Sequence, residues 1–590
     1  FRSIQDFKGK TIFIPGNHDW YSNGLIGLKR EENYIENALG KKTFLPEDGC
    51  PVESIDVSDT IQLIIIDSQW YIENWDHHPT INDDCDIKRR ERFFEEVEDE
   101  IKKAQNKTIV FAMHHPMYTN GPHGGHLAPI KHLFPFQQKI PLPIVGSLMA
   151  QIRTQGGVSP QDRYNIRYNE LMSRLETIAM GVNNVVFVSG HEHGLQYIEN
   201  KAIKQIVSGS GSKESPLALS DNGLFSYGKQ GFSELVVYKD GTSWVKMFAA
   251  GNGQAKLLFQ KEVLSVQNKF DYSQLPESFP QEIETSIYTK EETDKTGFFK
   301  SVWGKHYRDL YSRKINVKVA TLDTLYGGLE IIRMGGGHQT RSLRLKTKDG
   351  KELGMRALRK SATQYLQAVL FKDTYVVDDF DKTAVENLVL DFYTAAHPYA
   401  FSVVPDLSRA AQIYHTNPKL FFIPKHKALG NYNDVFGDEL YMIEERPEDI
   451  FSEEQPEDIR STYSMIKKIH QDEKYKVDES AFIKARLFDM LIGDWDRHQD
   501  QWKWAQFDAG NYEKLFKPIP RDRDQAFSNF DGALLDVIKI ISAPAKQLQV
   551  YDSELKDLDW MNSAGIKLDR ILIQNASEDD WLKEAAFLQE

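Results

Sequence analysis

Short apolar runs and amphipathic stretches alternate along roughly the first 260 residues of this 590-residue chain. Three apolar runs, at residues 11–14, 108–112 and 185–188, each lead directly into a polar motif. Apolar runs of this length indicate buried strands. Ile61–Ile66 predicts a fourth buried strand, and residues 87–103 have the spacing of a helix. Strand and helix signals therefore alternate through this region, which predicts a mixed α+β fold.

The rest of this region contains a hairpin and one long aperiodic segment. Residues 231–249 predict two antiparallel strands joined by the turn Lys239-Asp240-Gly241-Thr242. Residues 120–160 carry Gly, Pro and His without a clear period. Loops of this length in compact domains are usually functional lids or disordered segments. Because this segment follows the strand at 108–112, we expect it to be a lid.

The pattern changes in the second half of the chain. Residues 263–314 are polar and Pro-marked, and they include an aromatic segment at 298–303 that we expect to form an ordered arm. Strand signals resume at Ile315, and helices are expected to dominate after Asp378. One hydrophobic core rarely supports more than roughly 250–300 residues. We therefore predict two domains, 1–262 and 315–590, joined by a linker at 263–314.

The composition narrows the classes of function. Hydrophobic residues make up 41% and charged residues 27% of the chain, as in soluble globular proteins. A net charge of −14 disfavours nucleic-acid backbones as partners and is compatible with divalent cations. No apolar run approaches the roughly 18–20 residues of a membrane helix, so membrane association is expected only through parts outside this sequence. The sequence contains two cysteines, Cys50 and Cys85, and allows either one disulfide between them or two free thiols.

Three polar motifs at the ends of predicted strands carry the candidate chemistry. They are Gly16-Asn17-His18-Asp19, His114-His115-Pro116-Met117-Tyr118 and Gly190-His191-Glu192-His193, and a Ser208-Gly209-Ser210-Gly211 turn follows them. Loops at one edge of a sheet converge in space, which brings distant side chains together. Imidazole nitrogens and amide oxygens bind borderline divalent metals. The motifs therefore predict a dinuclear metal site that handles a phosphoryl group.

Individual roles follow from the type of each ligand. Asn17, His114 and His191 are expected to bind one ion, and His193 to bind the other. His18 is expected to protonate the leaving oxygen or to stabilise charge in the transition state. The alternative is that each histidine is an ordinary core or loop residue. Three independent motifs at strand ends favour the metal site.

These motifs resemble those of the calcineurin-like metallophosphoesterases, and the His-x-Pro-x-Tyr form is similar to the purple acid phosphatase branch. The resemblance covers about residues 1–260. It implies a β-sandwich flanked by helices, two divalent metal ions (Fe, Mn or Zn), and a phosphate-ester substrate hydrolysed by metal-activated hydroxide. It also implies that His114, and not His115, is the metal ligand.

Part of the family pattern is missing. The family's opening Asp-x-His or Asp-x-Gly motif, and its Gly-Asp-x-x-Asp or Gly-Asp-x-x-Tyr motif, supply most ligands of the first metal and should precede Gly16. The 15 residues before Gly16 contain neither motif. Asp6 and Asp67 are the nearby aspartates, and both lack the required neighbours. We expect that the sequence lacks the beginning of this domain, the alternative being a natural protein with one remaining metal position.

A second set of motifs lies within residues 315–590. A glycine-rich turn with Gly335, Gly336 and Gly337 precedes an apparent strand. Such a turn can bring backbone amides close to phosphates, and an ordinary hairpin turn is the simpler interpretation. Further along, a helical pattern ends in the polar segment 494–502, and the charged segment 520–527 follows. Phosphoryl transfer from a nucleotide requires carboxylates and a cation of this kind.

These segments resemble the catalytic elements of atypical kinases, especially the CotH and HipA kinases. The resemblance implies that Asp496 is the catalytic aspartate and that Gln501 stands where a metal-binding asparagine is expected. Asp524, or alternatively Asp522, corresponds to the metal carboxylate. The fold implied is a two-lobed α+β kinase-like domain that binds ATP with Mg or Mn.

The phosphate-binding lysine of these kinases corresponds to Arg356, with Lys360 as the alternative. Arginine is a planar fork and lysine a compact charge, so this exchange is not conservative. Glutamine at position 501 is expected to weaken magnesium binding. Three interpretations stay open for this region: an active kinase, a ligand-binding or pseudokinase module, and an unrelated helical domain.

The sequence as a whole predicts a metal-dependent phosphoesterase domain joined to a kinase-like domain. The competing interpretation is a binding or scaffold protein in which both sites are inert. By analogy with proteins that pair these domains, the expected location is the bacterial periplasm or cell envelope.

Overall fold

The chain forms two compact units in the computed structural model. The N-terminal unit consists of residues 1–269 together with 367–378, and the C-terminal unit consists of 270–366 together with 379–590. The domain limits predicted at residues 262 and 315 stay predictions. The structure describes residues 7–104, 107–126, 130, 133–134, 141–142, 144–148, 157–220, 222–251, 253–266, 270–335, 340–367, 371–376, 383–447, 450 and 455–589.

The described part of the N-terminal unit contains a seven-stranded mixed sheet. The strands are β1 (Val52–Ser58), β2 (Ile61–Ile66), β3 (Thr108–Met113), β4 (Val185–Ser189), β5 (Leu195–Asn200), β6 (Ile203–Ser208) and β7 (Gly223–Tyr227). Their order is β1-β2-β3-β4-β6-β5-β7. Strands β2, β3, β4 and β6 run parallel, whereas β1 and β5 are antiparallel to their neighbours. Parallel strands need cover on both faces, which explains the largely apolar runs of β2, β3 and β4.

The described part of this unit also contains a second sheet and several helices. The sheet is antiparallel, with strands β8 (Gly231–Val237), β9 (Ser243–Gly251) and β10 (Gln254–Leu264) in the order β10-β9-β8. The helices are α1 (Asn17–Tyr21), α2 (Gly24–Leu39), α3 (Ser68–Ile72), α4 (Arg90–Lys103) and α5 (Ile166–Met180). A disulfide joins Cys50 and Cys85, which decides between the two states left open by the sequence.

Two hydrophobic clusters cover the two faces of the seven-stranded sheet. On one face, helical residues such as Phe93, Phe94 and Leu171 pack with Ile64 and Phe111 of the strands. On the other face, residues of β4, β5 and β6 pack against β9 and β10. The members of this second cluster are Val186, Leu195, Tyr197, Ile206, Val245, Met247, Val263 and Leu264. The N-terminal unit is therefore two packed sheets with helices outside one of them.

Most elements predicted for this unit are present. The strands expected at 61–66, 108–112 and 185–188 are β2, β3 and β4, and α4 occupies most of the helical stretch expected at 87–103. The predicted hairpin is formed by β8 and β9, with Gly241 at φ +88° in its turn. These elements have uninterrupted apolar or amphipathic patterns, so the periodicity was sufficient to locate them.

The strand predicted at residues 11–14 is wrong. Its backbone makes one isolated bridge, Phe13 with Phe44, in which Phe13 N donates to Thr43 O and Leu45 N donates to Phe13 O. An apolar run becomes a strand only where a neighbouring strand pairs with it along its length, and the sheet partners described here pair elsewhere. The lid predicted at 120–160 lies largely outside the described residues, and its described beginning forms a 3₁₀ turn at Pro122–Gly124.

The described part of the C-terminal unit contains three sheets. A five-stranded antiparallel sheet has the order β13-β14-β15-β17-β16, a four-stranded sheet has the order β18-β20-β21-β19, and β11 pairs with β12. The strands are β11 (Glu282–Thr285), β12 (Ile315–Lys318), β13 (Leu329–Met334), β14 (Thr340–Thr347), β15 (Glu352–Lys360), β16 (Lys419–Ile423), β17 (Glu439–Glu445), β18 (Asp458–Ser461), β19 (Tyr475–Val477), β20 (Trp502–Gly510) and β21 (Glu513–Pro520).

The two largest hydrophobic clusters described in this unit lie beside its two larger sheets. Leu343, Met355 and Tyr441 belong to the core beside the five-stranded sheet, and Phe482 and Trp504 to the core beside the four-stranded sheet. The helices are α6 (Lys290–Thr293), α7 (Gly297–Trp303), α8 (Arg308–Tyr311), α9 (Ala362–Tyr365), α10 (Ala384–Tyr393), α11 (Ala400–Ala410), α12 (Asn433–Phe436), α13 (Thr462–Gln471), α14 (Glu479–Leu491), α15 (Ala533–Ile541), α16 (Leu558–Met561), α17 (Ile566–Leu572) and α18 (Glu578–Gln589).

The expectation that helices dominate after Asp378 is wrong for residues 419–520, which contain the six strands β16 to β21. Several of these strands are short or carry charged residues on their exposed face, which hides the alternation that indicates a strand. The predicted segment at 298–303 is helix α7. Among the described helices, none is long and apolar enough to cross a membrane.

Candidate functional sites

The polar motifs of the N-terminal unit meet at one edge of its sheet. Asn17 is the first residue of α1, His114 follows β3, and His191 follows the adjacent strand β4. Nε2 of His114 lies 2.9 Å from Oδ1 of Asn17 and 3.2 Å from Nδ1 of His191. Three donor atoms from three distant motifs thus converge, as expected for side chains at the ends of parallel neighbours.

These three donors suit one divalent metal ion. Imidazole nitrogens and carbonyl oxygens bind such ions at about 2.0–2.2 Å, so two ligands of the same ion lie on the order of 3 Å apart. The separations of 2.9 and 3.2 Å match that requirement. An amide oxygen with two imidazoles is also a donor set that zinc, iron and manganese accept. The donor chemistry and spacing therefore fit a metal.

Backbone features bring the donors close together. A Cβ atom on Gly16 would lie 2.9 Å from the His114 ring, so the close approach of α1 to this ring requires glycine. His191 has a φ of +62°, in the left-handed region that a β-carbon makes unfavourable. Such outliers concentrate at functional sites, where the surrounding structure holds them in place.

Electrostatics keep the two imidazoles neutral. Burial lowers the pKa of His114 well below its ordinary value, and the neighbouring histidines, first His115, lower it further. Burial likewise lowers the pKa of His191, with His115 and His123 as the next causes. Neutral imidazole is the form that binds metals. Both side chains are therefore ready to act as ligands at neutral pH.

His115 lies in the same histidine cluster, but its ring nitrogens are engaged elsewhere. Nδ1 is 2.8 Å from Oγ of Ser68, and Nε2 is 2.8 Å from Oε1 of Gln161. The side chain is fully buried, and burial lowers its pKa to about 4. Because both of its ring nitrogens are in hydrogen bonds, His115 has a structural role in the cluster. This is consistent with the prediction that His114 is the ligand of this motif.

The two other predicted histidines lie at the rim. His18 is exposed and packs its ring on Tyr21 with a centroid distance of 4.9 Å. His193 is half-buried, and burial followed by Lys213 lowers its pKa. Neither joins the group formed by the His114, His115 and His191 ligand atoms, and across the described ranges no carboxylate joins it. The Asn17, His114 and His191 donor atoms therefore lie together, and both ions of the predicted site stay predictions.

Sequence reasoning missed a histidine–aspartate pair beside this centre. Nδ1 of His123 lies 2.8 Å from Oδ1 of the buried Asp162, and the His123 ring is 4.1 Å from the His191 ring. The carbonyl of Gln161 lies 2.9 Å from Nε2 of His191 and orients that ring. His123 was visible only as one histidine in an aperiodic segment, so no spacing pointed to it.

The family comparison agrees with this site. Residues 1–143 match the model of the calcineurin-like phosphoesterases. This family acts on phosphate esters and binds divalent metals. The matched residues include Asn17 and His114 and end before His191. The phosphoesterase-like region therefore covers the first part of the N-terminal unit, and the C-terminal unit has no part in the match.

Solved structures give partial likenesses to the chain. GAP50, the anchor in the inner membrane complex of Plasmodium, is 15% identical, and the match covers 45% of this chain and 69% of that one with a TM-score of 0.26. PhoD is 9% identical, with 37% and 44% covered and a TM-score of 0.23. Purple acid phosphatase PPD1 from yellow lupin (Lupinus luteus) seeds is 12% identical, with 42% and 38% covered and a TM-score of 0.26. No curated protein matches the chain.

The motifs of the C-terminal unit surround a cavity of about 690 Å³. Its lining includes the predicted side chains Arg356, Asp496, Gln501 and Asp524, together with the alternatives Lys360 and Asp522. A cavity of this size can enclose a ligand as large as a nucleotide. The segments at 354–360, 494–501 and 520–524, which are far apart in sequence, therefore face one space.

Two ion pairs connect the cations and carboxylates of this cavity. Nζ of Lys360 lies 2.8 Å from Oδ2 of Asp524, and Nη1 of Arg356 lies 2.9 Å from Oδ1 of Asp522. Burial opposes ionisation of Asp522, but Arg356 and Lys360 outweigh it and lower the pKa of this carboxyl. Burial raises the pKa of Asp496, which His498 partly offsets. Both predicted alternatives, Lys360 and Asp522, thus lie beside the residues first assigned.

The glycine-rich turn connects β13 and β14. Gly335 N donates to Ser342 O at 2.8 Å, so this amide is already used in the hairpin. Gly336 and Gly337 lie outside the described residues. At Gly335, the hairpin interpretation of the turn is the one that the structure favours.

Arg497, in the middle of the Asp-Arg-His motif, has a structural environment. Its buried guanidinium lies 3.4 Å from both Asp489 and Asp494 and donates to the carbonyl of Arg521 at 2.7 Å. Asp489 also pairs with Arg523. Arg497 therefore connects the 494–501 loop to the segment after β21, whereas Asp496 and His498 are the residues of the motif that line the cavity.

Proposed function

We propose that the N-terminal unit is a metal-dependent phosphoesterase that cleaves the P–O bond of a phosphate ester with water. The observation that carries this proposal is the convergence of three donor atoms: Nε2 of His114 lies 2.9 Å from Oδ1 of Asn17 and 3.2 Å from Nδ1 of His191. The match of residues 1–143 to the calcineurin-like phosphoesterases supports it. Asn17, His114 and His191 would hold the ion. When bound, a divalent ion supplies activation of water and polarisation of the phosphoryl oxygen.

Proton transfer is assigned to His18 at the rim and to His123 beside His191. The exposed position of His18 suits donation of a proton to the leaving oxygen, so that the products are an alcohol and a phosphate. His123 is a second proton carrier in this proposal, because Asp162 accepts from its Nδ1 and leaves Nε2 for exchange. His115 and Gln161 keep the ligand rings in position and do not meet the substrate.

Metal content and turnover measured together test this function. The protein, a His114→Ala variant and a His18→Ala variant are compared on p-nitrophenyl phosphate and on bis(p-nitrophenyl) phosphate, which also separates monoesters from diesters. We expect His114→Ala to lose both metal and turnover. His18→Ala should retain metal and lose roughly a hundredfold in turnover, the usual scale for an acid–base group. His77→Ala, which removes an exposed histidine of the same unit, is the control.

Two results would contradict the assignments. Unchanged metal content in His114→Ala would remove His114 from the ligand set. Loss of metal in His18→Ala, with turnover restored by excess metal, would make His18 a ligand and not a proton donor. Absence of hydrolysis in metal-loaded protein would favour the alternative of an inert binding or scaffold protein of the bacterial envelope.

For the C-terminal unit, nucleotide binding is the second proposed function. It is favoured by the cavity in which Arg356, Asp496, Gln501 and Asp524 meet. In this proposal Asp524 and Gln501 bind Mg or Mn, and Asp496 orients an acceptor hydroxyl. Arg356, or alternatively Lys360, contacts the phosphates of ATP. Because Lys360 pairs with Asp524, nucleotide binding has to exchange that ion pair for metal and phosphate.

Titration calorimetry of the full chain with ATP and either metal tests nucleotide binding. We expect the parent protein to bind ATP with micromolar to millimolar affinity. Asp524→Ala should abolish this binding, whereas Asp496→Ala should largely spare it, since Asp496 serves transfer and not binding. Gln501→Asn should strengthen metal-dependent binding if the residue faces an ion. No binding by folded protein with either metal would reject the kinase-like site.

The cellular location is proposed from one covalent feature. Disulfides persist in oxidising compartments, and the Cys50–Cys85 bond supports the periplasm or cell envelope.

A further inference from the structure

A second, smaller pocket in the C-terminal unit is lined by four arginines. It measures about 50 Å³ and shares part of its wall with the large cavity. This volume admits a group of only a few heavy atoms, so a nucleoside base cannot enter it, and the rest of a larger ligand would lie in the adjoining large cavity. The arginines come from β14, from β15, from the segment after β17 and from the segment after β21, and they are Arg344, Arg356, Arg446 and Arg521.

Gly354 forms the floor of this pocket. In the sheet register, Arg344 of β14 lies opposite Gly354 of β15, which lies opposite Glu444 of β17. A Cβ atom on Gly354 would lie 3.9 Å from Nη1 of Arg344 and 3.8 Å from Cγ of Glu444. Because residue 354 has no side chain, the Arg344 guanidinium reaches over the middle strand and is presented to the pocket.

Three carboxylates, Glu444, Glu445 and Asp522, also line the pocket and neutralise part of its positive charge. Arg356 pairs with Asp522 and Glu444, and Arg446 pairs with Glu352. Within the ranges that the structure describes, no carboxylate lies within 4.0 Å of the Arg344 guanidinium, and this guanidinium makes no hydrogen bond to a described residue. Burial, followed by repulsion from Arg446, Arg521 and Arg356, lowers the pKa of Arg344 to about 10, so it stays charged at neutral pH.

Several guanidinium groups crowded around one small space favour an anion with several oxygens. Like charges that are half-buried repel one another more strongly than they would in water, and a bound anion relieves this repulsion. Arginine forks match phosphate oxygens in geometry and form charge-assisted hydrogen bonds with them. A single carboxylate has too few oxygens to engage guanidiniums that arrive from four chain segments.

We propose that this pocket is a phosphoryl-binding subsite, with Arg344 as its principal unneutralised donor. The subsite is additional to the metal carboxylates of the nucleotide-binding function proposed above, and it depends on the arginines alone. The phosphoryl group could belong to a nucleotide or to a phosphorylated acceptor, since both present the same chemistry. Binding to the subsite requires no divalent metal.

The test is calorimetric titration of the full chain with inorganic pyrophosphate in the presence of EDTA, which removes metal-dependent binding elsewhere. Arg344→Gln should weaken pyrophosphate binding about tenfold, equivalent to about 1.4 kcal/mol, because it removes one charge-assisted donor. Lys346→Gln is the matched control, since it removes an equal charge from an exposed position two residues along β14, outside the pocket lining. The control should bind as the parent protein does.

A second variant tests the shape of the pocket without changing any charge. Gly354→Ala places a methyl group between Arg344 and Glu444 at ordinary contact distances, so the fold is expected to tolerate it. It should weaken pyrophosphate binding severalfold because the added methyl group reduces the volume of the pocket. Thermal unfolding of each variant shows that lost binding is not lost structure.

Defined outcomes overturn the proposal. Absence of pyrophosphate binding by the parent protein, or equal weakening in Arg344→Gln and Lys346→Gln, would reduce the cluster to non-specific surface charge. The nucleotide proposal can fail separately: if ATP with metal does not bind but pyrophosphate does so through Arg344, the subsite stands. If both bind, competition between them assigns the phosphoryl group to the nucleotide, and simultaneous binding assigns it to a separate phosphorylated ligand.

Discussion

At residue 16, the absence of a side chain decides how closely the backbone approaches the ring of His114. We expect Gly16→Ala to displace this ring and to weaken metal binding by tenfold or more, because an added Cβ would lie 2.9 Å from it. The backbone at Gly16, with φ −112°, accepts alanine, so the effect is steric contact alone. Gly211→Ala is the control, since nothing lies within 4 Å of a Cβ there. Equilibrium dialysis with zinc or manganese measures both variants, and equal affinities would contradict the ligand role of His114.

A second prediction at the residue scale concerns the buried carboxyl of Asp67 and the pH dependence of stability. Asp67 accepts hydrogen bonds from Trp20 Nε1 and Trp70 N, but burial raises its pKa to about 7. Between pH 4 and 7 the unfolded chain loses a proton from Asp67 that the folded chain keeps, so the contribution of Asp67 to the free energy of unfolding should fall by about 1 kcal/mol per pH unit as the pH rises. Asp67→Asn, which cannot ionise, should remove this slope.

Denaturant unfolding at pH 5, 6 and 7 measures that slope. Asp240→Asn provides the control, because this carboxyl is exposed in a turn and its pKa is lowered and not raised. An identical pH dependence in Asp67→Asn and the parent protein would mean that Asp67 is ionised in the folded state.

Individual site residues were predictable only where a motif followed a strand. Asn17, His114 and His191 were recognised because each follows an apolar run, and adjacent parallel strands deliver His114 and His191 to one edge. His123 and Asp162 are 39 residues apart in sequence and pair through tertiary packing, which leaves no local pattern. Arg344 was equally hidden, since one arginine in a strand is ordinary and its role depends on the partner Gly354 in the next strand.

The loop at residues 494–501 contains a structural arginine, Arg497, beside a residue that lines the cavity, Asp496. Arg497→Met should lower the free energy of unfolding by about 3 kcal/mol or more, because it leaves the buried Asp494 without its cation. Asp496→Asn should change the free energy of unfolding by about 1 kcal/mol at most, because this side chain is half-buried at the cavity wall. Thermal unfolding compares the two variants. A larger loss in Asp496→Asn would make Asp496 part of the structural network.

Whole elements were predictable in proportion to how cleanly their pattern repeats. Strands β2, β3 and β4 are largely apolar because both of their faces are covered, and they were located from the sequence pattern alone. The run at 11–14 has a similar composition but lacks a partner strand along its length, and composition cannot show this. Strands such as β17 were missed because glutamates interrupt the apolar positions at its end.

The Cys50–Cys85 disulfide acts on the stability of the N-terminal unit as a whole. It closes a loop with a sequence separation of 35, and chain-entropy arguments assign about 3–4 kcal/mol to a loop of that length. The Cys50→Ser, Cys85→Ser double variant should therefore unfold at a lower temperature than the parent protein. The parent should fall to the same temperature when reductant is added, and the variant should not respond. Insensitivity of the parent to reductant would contradict a structural role.

The N-terminal unit is not one continuous stretch of chain. Residues 367–378 belong to it, and Lys372 pairs with Glu91 at 2.8 Å, although residues 270–366 belong to the other unit. During synthesis on a ribosome, roughly 100 residues must therefore emerge after residue 269 before this segment becomes available. At about 5–20 residues per second, the first unit waits on the order of 5–20 s for its last segment. Its final stage of folding is thus tied to the translation of the second unit.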